Sequence, residues 1–192
     1  MKNLFYTLYA VLFNISRLLF PLKKNRVAFV SMHKENFCDA LGAVRDELQS
    51  RGGYDFVYIT RQDLSLSKPL KVMSFFLNKS RLLATSEYIF LNDNFLPMGK
   101  LNFRKEAVIT QLWHAEGAFK KFGLHIPQND SLRKAEIAAN SKLKYVVCSS
   151  DGVRKIYAEA FGVAENKVLP LGSPRVDYFQ NDENKAAALR EI

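Results

Sequence analysis

The sequence predicts an α/β domain built on a parallel β-sheet. Six short runs are continuously apolar or β-branched, the pattern of strands buried on both faces: residues 26–32, 54–60, 88–91, 107–110, 145–148 and 168–171. Most of the stretches between them carry apolar residues at helical spacing. Connections of helical length make consecutive strands parallel and their crossovers right-handed. Alternation of this kind gives a Rossmann-like domain. At 192 residues, one such core is the default.

Residues 1–22 are apolar except for a narrow stripe, Asn3, Thr7, Ala10, Asn14 and Arg17, at alternating spacings of four and three. That spacing marks one face of a helix. A cleaved signal peptide does not fit, because no small-x-small site is present and Lys23, Lys24 and Arg26 follow the apolar run. A spanning helix needs about 20 apolar residues. Here it would carry Arg17 in its second half, and a central arginine costs roughly 2.5–3.5 kcal/mol. A helix lying in the membrane interface avoids that cost, and the trailing cations would meet anionic headgroups. The interfacial helix is favoured. Docking onto a further domain is the ordinary alternative.

The run RVAFVSM (26–32) is the first strand, followed by a loop holding His33. Asp39 is a candidate cap for a helix to about Arg51, ended by Gly52-Gly53, and YDFVYIT is the second strand. The first turn lacks Gly-x-Gly-x-x-Gly, so a nicotinamide or flavin site has no support, and no cofactor is expected. Residues 65–86 read as a crossover helix. Val72, Phe75 and Phe76, beside Lys68, Lys71 and Lys79, form either a second membrane patch or an ordinary packing face. The third strand ends at the polar run Asn92-Asp93-Asn94, and Pro97 and Gly99 punctuate the connector that follows.

The fourth strand leads into QLWHAEGAFKKFG. His114 stands where that strand reaches its carboxyl end, the edge at which open α/β sheets bind ligands. An imidazole there, with Lys120 and Lys121 in the following loop, suits proton transfer beside an anionic substrate. A packed Trp-His pair above two solvated lysines is the plain alternative. Asp130 or Ser131 caps a helix to about Ser141, whose charges suggest a solvated outer face. The fifth strand delivers Ser149 and Ser150 to the same edge as His114. There, with the amides opening a helix near Asp151, they would make a phosphate nest; helix capping is the alternative. That helix stops at Gly162, and the short sixth strand leads into Gly172-Ser173-Pro174-Arg175.

The net charge of +9 implies an anionic partner. Nucleic acid is not expected, since the cations are dispersed and no zinc-finger, RNP-like or lysine-block pattern occurs. Cys38 and Cys148 lack metal-ligand spacing and read as half-buried reduced thiols of a cytosolic protein. No Asp-x-Asp or His/Cys cluster indicates a metal.

Two motifs carry a resemblance. QLWHAEGAFKKFG and LGSPRVDYF (171–179) are similar, in order and separation, to the Trp-His and Gly-x-Pro-Arg-x-Asp segments of the CDP-glycerol glycerophosphotransferase family of teichoic acid biosynthesis. Some members carry Trp-His-Gly-Thr-Pro where this chain has Trp113-His114-Ala115-Glu116-Gly117, so primase-like and polymerase-like roles both stay open.

The resemblance implies a GT-B type transferase of the cell wall, of which this chain is the amino-terminal, acceptor-side half. Residues 1–24 would be the amphipathic membrane helix, 25–179 the acceptor-side domain, and 180–192 a linker and the start of a second domain. The expected reaction moves glycerol phosphate or ribitol phosphate from CDP-glycerol or CDP-ribitol to a hydroxyl on a lipid-linked saccharide or growing teichoic chain, releasing CMP. The nucleotide would be held mainly by the second domain, leaving this chain alone inactive. The protein would sit peripherally on the cytoplasmic side of the cell membrane. His114 matches the family's essential histidine and is the expected general base. Trp113, Gly117, Lys120, Lys121, Ser149, Ser150 and Arg175 are the expected substrate-binding residues, with no metal. An inactive module that binds lipid-linked polymer and a GT-B transferase using a nucleotide sugar are the alternatives.

Overall fold

The computed structural model describes residues 2–32, 40–64, 69–115, 117–174, 176–177, 186 and 189–190. Helix α1 (Lys2–Leu19) precedes β1 (Lys23–Ser31), α2 (Ala40–Arg51) and β2 (Asp55–Thr60). Next come α3 (Pro69–Ser74), a π-helical turn (Phe75–Lys79), α4 (Ser80–Ala84) and β3 (Ser86–Leu91). Then follow β4 (Val108–Gln111), α5 (Asp130–Asn140), β5 (Tyr145–Val147), α6 (Arg154–Phe161) and β6 (Val168–Leu169). All strands pair in parallel in the order β2-β1-β3-β4-β5-β6. The order reverses once, between β1 and β3. It therefore follows the 2-1-3-4-5 arrangement rather than the 3-2-1-4-5-6 order of dinucleotide-binding sheets, and its crevice opens where β1, β3 and β4 end.

Period-two alternation splits the core by face. Val27, Phe29, Leu112 and Val147 face α2. Ala28, Val30, Ile89, Ile109 and Val146 face the larger core, which α1, α4, α5 and α6 help to fill. Helix α1 is built into that core. Tyr9 and Phe13 are fully buried, Tyr9 stacking on Phe75 at 4.5 Å and Phe13 meeting Phe103 edge-on at 4.9 Å. Thr7 and Asn14 of the polar stripe face the protein too. Asn14 accepts from the Asn102 amide at 3.2 Å, and Lys100 donates to Thr7 at 2.6 Å. Helix α1 therefore packs as part of the core. The opposite arc, Leu4, Leu8, Val11, Ile15, Leu18 and Leu19, is exposed. No described helix is long and apolar enough to cross a membrane.

Several expectations are corrected. Phe75 is buried and Phe76 packs edge-on against Phe5, so neither forms a surface patch; Leu70, Met73 and Leu77 are the exposed residues of that segment. Lys79 donates to the Tyr58 carbonyl at 2.5 Å instead of facing solvent. Lys23, one of the trailing lysines, binds Asp55 at 2.9 Å, and Arg26 binds the same carboxylate at 2.7 Å. Hydrogen bonds from Lys23 and Arg26 hold the Asp55 carboxyl below its ordinary range. Strand β1 starts three residues early because Asn25 adopts a left-handed conformation, φ 59°, which opens a bulge. Its amide is then satisfied by Glu87 at 2.7 Å. The cap of α5 is Asn129, whose side chain accepts from Leu132 N at 2.9 Å, not Asp130 or Ser131. Cys148 is buried rather than half-buried, and burial pushes its thiol up. Cys38, Lys68 and the proposed cap Asp39 lie outside the described residues.

Candidate active site

Strand β4 ends in a sharp change of direction that turns Trp113 inward and His114 outward, with their rings still packed at a tilt, centroids 4.0 Å apart. Gln111 is buried at the strand end. Its Nε2 donates to Asp93 O at 3.2 Å, and its Oε1 accepts from the Trp113 amide at 3.0 Å. That bond fixes Trp113 at φ 61°, a left-handed conformation that costs a non-glycine residue roughly 1–3 kcal/mol. The turn drives the indole inward against Phe122 and Phe161, with centroids at 5.5 and 5.2 Å, and leaves His114 outward. The indole Nε1 is buried with no hydrogen-bond partner among the described residues.

His114 Nδ1 lies 3.0 Å from Asn92 O. A carbonyl only accepts, so Nδ1 carries the proton and Nε2 is the basic nitrogen. The loop beyond is anchored by Tyr157, a buried residue of α6 whose hydroxyl donates to Ala115 O at 2.8 Å. Helix α6 reaches this loop because Gly123, at φ 55°, lets the backbones meet; a Cβ there would overlap the Ala160 carbonyl. Tyr157→Phe leaves Ala115 O without that donor. It is expected to lower stability by about 1 kcal/mol in urea denaturation.

These elements enclose a cleft of about 570 Å³. Trp113, His114, Gly117, Lys120 and Lys121 line it together, with Met32 from the end of β1 and Asp93 from the end of β3. The cleft thus occupies the switch-point crevice. Lys120 and Lys121 are exposed at its wall. Glu136 also lines it, 4% exposed, bound by Asn94 Nδ2 at 3.0 Å and Gln128 Nε2 at 2.9 Å. The other charges of α5, Asp130, Arg133 and Lys134, are exposed, as expected of a mostly solvated outer face; Glu136 is its buried exception.

Ser149 is not in this cleft. It lines a second cavity of about 570 Å³ on the α2 side of the sheet, with Leu112, Gly172 and Pro174. Ser150 precedes the 3₁₀ turn Asp151–Val153, makes no side-chain cap bond, and lines neither cavity. The expected nest beside His114 is therefore not assembled. Arg175, Glu116 and His33 lie outside the described residues. Sequence inspection missed Asn92, Asp93, Gln111 and Glu136. Glu136 had one signal: it shares a helical face with the buried Ala139 and Asn140, at spacings of three and four.

The sequence profile described as CDP-Glycerol:Poly(glycerophosphate) glycerophosphotransferase matches residues 11–192. The chain belongs to this family. Among curated members, it is 32% identical over 189 residues to a teichoic acid poly(ribitol-phosphate) polymerase of Bacillus spizizenii, covering 96% of this chain and 29% of that protein. It is 31% identical over 198 residues to the teichoic acid ribitol-phosphate primase of the same organism, covering all of this chain and 49% of the primase. The glycerophosphotransferase-family chain thus spans half or less of these two relatives. Wall teichoic acid polymerase TagF shares its fold, with a TM-score of 0.68 at 16% identity, over 99% of this chain and 49% of that one.

Proposed function

We propose that this chain supplies the acceptor-side domain of a GT-B type transferase in teichoic acid synthesis. The transferase moves glycerol phosphate or ribitol phosphate from a CDP-alditol to a hydroxyl of a lipid-linked acceptor. The observation that carries this is the strand end that buries Trp113 and turns His114 into a cleft walled by Lys120 and Lys121. His114 Nε2 takes the acceptor hydroxyl proton as the oxygen attacks the alditol phosphorus. A new phosphodiester P–O bond forms, the P–O–P bond breaks, and CMP leaves. The two lysines neutralise acceptor phosphate. The nucleotide is held mainly by a second domain. Family membership supports the donor class, and the ribitol-phosphate primase and polymerase relatives support the transferred group.

The exposed arc of α1, with Leu70, Met73 and Leu77 on the neighbouring helix, supports a peripheral site on the cytoplasmic side of the cell membrane. Helix α1 would lie in the interface plane.

The test is CMP release by the polypeptide that joins this domain to its nucleotide-binding domain. Release from CDP-glycerol or CDP-ribitol, dependent on added acceptor, is expected. Residues 1–192 alone are expected to release none. Turnover of a UDP-sugar instead, or acceptor binding without CMP release by the joined protein, would refute the proposal.

A further inference from the structure

A second charged cavity lies at the opposite edge of the sheet. Where β4, β5 and β6 begin, Arg104, Lys105, Lys142, Lys144 and Lys167 converge on a cleft of about 350 Å³, with Ser141 at its side. Among the described residues, no carboxylate lines it and none of the five cations is in an ion pair. Like charges gathered this closely repel one another unless an anion lies among them. Two of the five are held by the fold. Lys167 Nζ donates to Leu143 O at 3.0 Å, and Arg104 Nη2 donates to the carbonyls of Arg17 and Phe20. Among the described residues, the side chains of Lys105, Lys142 and Lys144 meet no hydrogen-bond or ion-pair partner.

We infer that this cleft binds the phosphodiester headgroup of an anionic phospholipid. Arg104 joins the cleft directly to the carboxyl end of α1, where Leu18 and Leu19 are 76% and 70% exposed. Apolar side chains beside a basic recess match the two parts of a lipid, acyl chain and charged headgroup. The acceptor polymer is a poorer occupant. The cleft sits at the amino edge, and His114 at the carboxyl edge, with the four residues of β4, about 13 Å, between them. The inference rests on the membrane reading of α1 and adds to it a defined headgroup site.

The experiment is co-sedimentation of the full chain with phosphatidylcholine vesicles, with and without phosphatidylglycerol. Lys142→Ala/Lys144→Ala is expected to weaken binding to the phosphatidylglycerol vesicles by roughly 30-fold, about fivefold per lysine. Binding to neutral vesicles should hold, and circular dichroism should be unchanged. Lys134→Ala/Lys155→Ala removes the same charge from exposed positions on α5 and α6 and is expected to cost much less. Equal losses in the two double variants, or no loss in the first, would overturn the cleft. Inorganic phosphate stabilising the chain as strongly as the vesicles, and only with Lys142 and Lys144 present, would reassign the cleft to a soluble anion. Leu8→Glu/Ile15→Glu separates the two readings. Loss of vesicle binding only in that variant keeps the membrane helix and removes the headgroup site. No vesicle binding by the unaltered chain removes both.

Discussion

His114→Ala is expected to lower kcat by about 100-fold or more in the complete transferase, the usual cost of a lost general base. Acceptor affinity should change little. The direction follows from the geometry at the end of β4. The Asn92 carbonyl holds Nδ1–H at 3.0 Å, so the lone pair of the imidazole lies on Nε2, and removing the ring removes the proton acceptor without touching the lysine wall. The indole of Trp113 would still fill its pocket between Phe122 and Phe161, so the loop should keep its shape. His125 offers no substitute. It sits in the 3₁₀ turn Gly123–His125, with Nε2 3.6 Å from Glu159. Steady-state CMP release and acceptor titration separate the outcomes. A large fall in kcat at constant acceptor affinity fits a base. A rise in acceptor KM alone would make His114 a binding residue, and near-normal turnover would make it packing.

The parts of the fold that depend on apolar runs were legible in the sequence; the parts that depend on backbone exceptions were not. All six strands lie where continuous apolar stretches put them. Strand β6 pairs only through Val168–Leu169, because Pro170 has no amide to continue the ladder. The early start of β1 rests on one left-handed Asn25, which no periodicity announces. The switch-point crevice depends on strand order, and sequence alternation does not give order. The misplacement of Ser149 is different, since alternation contained the answer. Val147 faces α2 and Cys148 faces the larger core, so Ser149 returns to the α2 side, away from Trp113. Glu136 was misread because a charge on a helix is usually solvated. Here Asn94, 42 residues away, and Gln128, just before the helix, satisfy it.

Phe13→Ala is expected to destabilise the chain by about 3–5 kcal/mol, the range for deleting a buried phenyl group. The sequence suggested that residues 1–22 form a helix lying in the membrane interface. The structure places Phe13 at 0% exposure against Phe103, and Tyr9 at 0% against Phe75 and Phe95. Those contacts join α1 to the π-helical turn and to the connector beneath β4, so the loss is borne by the whole domain. Domains of this size are stable by only about 5–15 kcal/mol. One such cavity therefore removes a large share of the margin, and deletion of α1 removes several contacts at once. The outward face behaves differently. Leu18 is 76% exposed, and Leu18→Ala should stay within about 0.5 kcal/mol of the parent. Urea denaturation followed by fluorescence measures both, because Trp113 is the sole tryptophan and lies in the same core cluster. The helix then has two faces that can be tested apart, an inner one that holds the fold and an outer one that is exposed. A Phe13→Ala midpoint equal to that of Leu18→Ala would contradict the inner role and restore α1 as a detachable anchor.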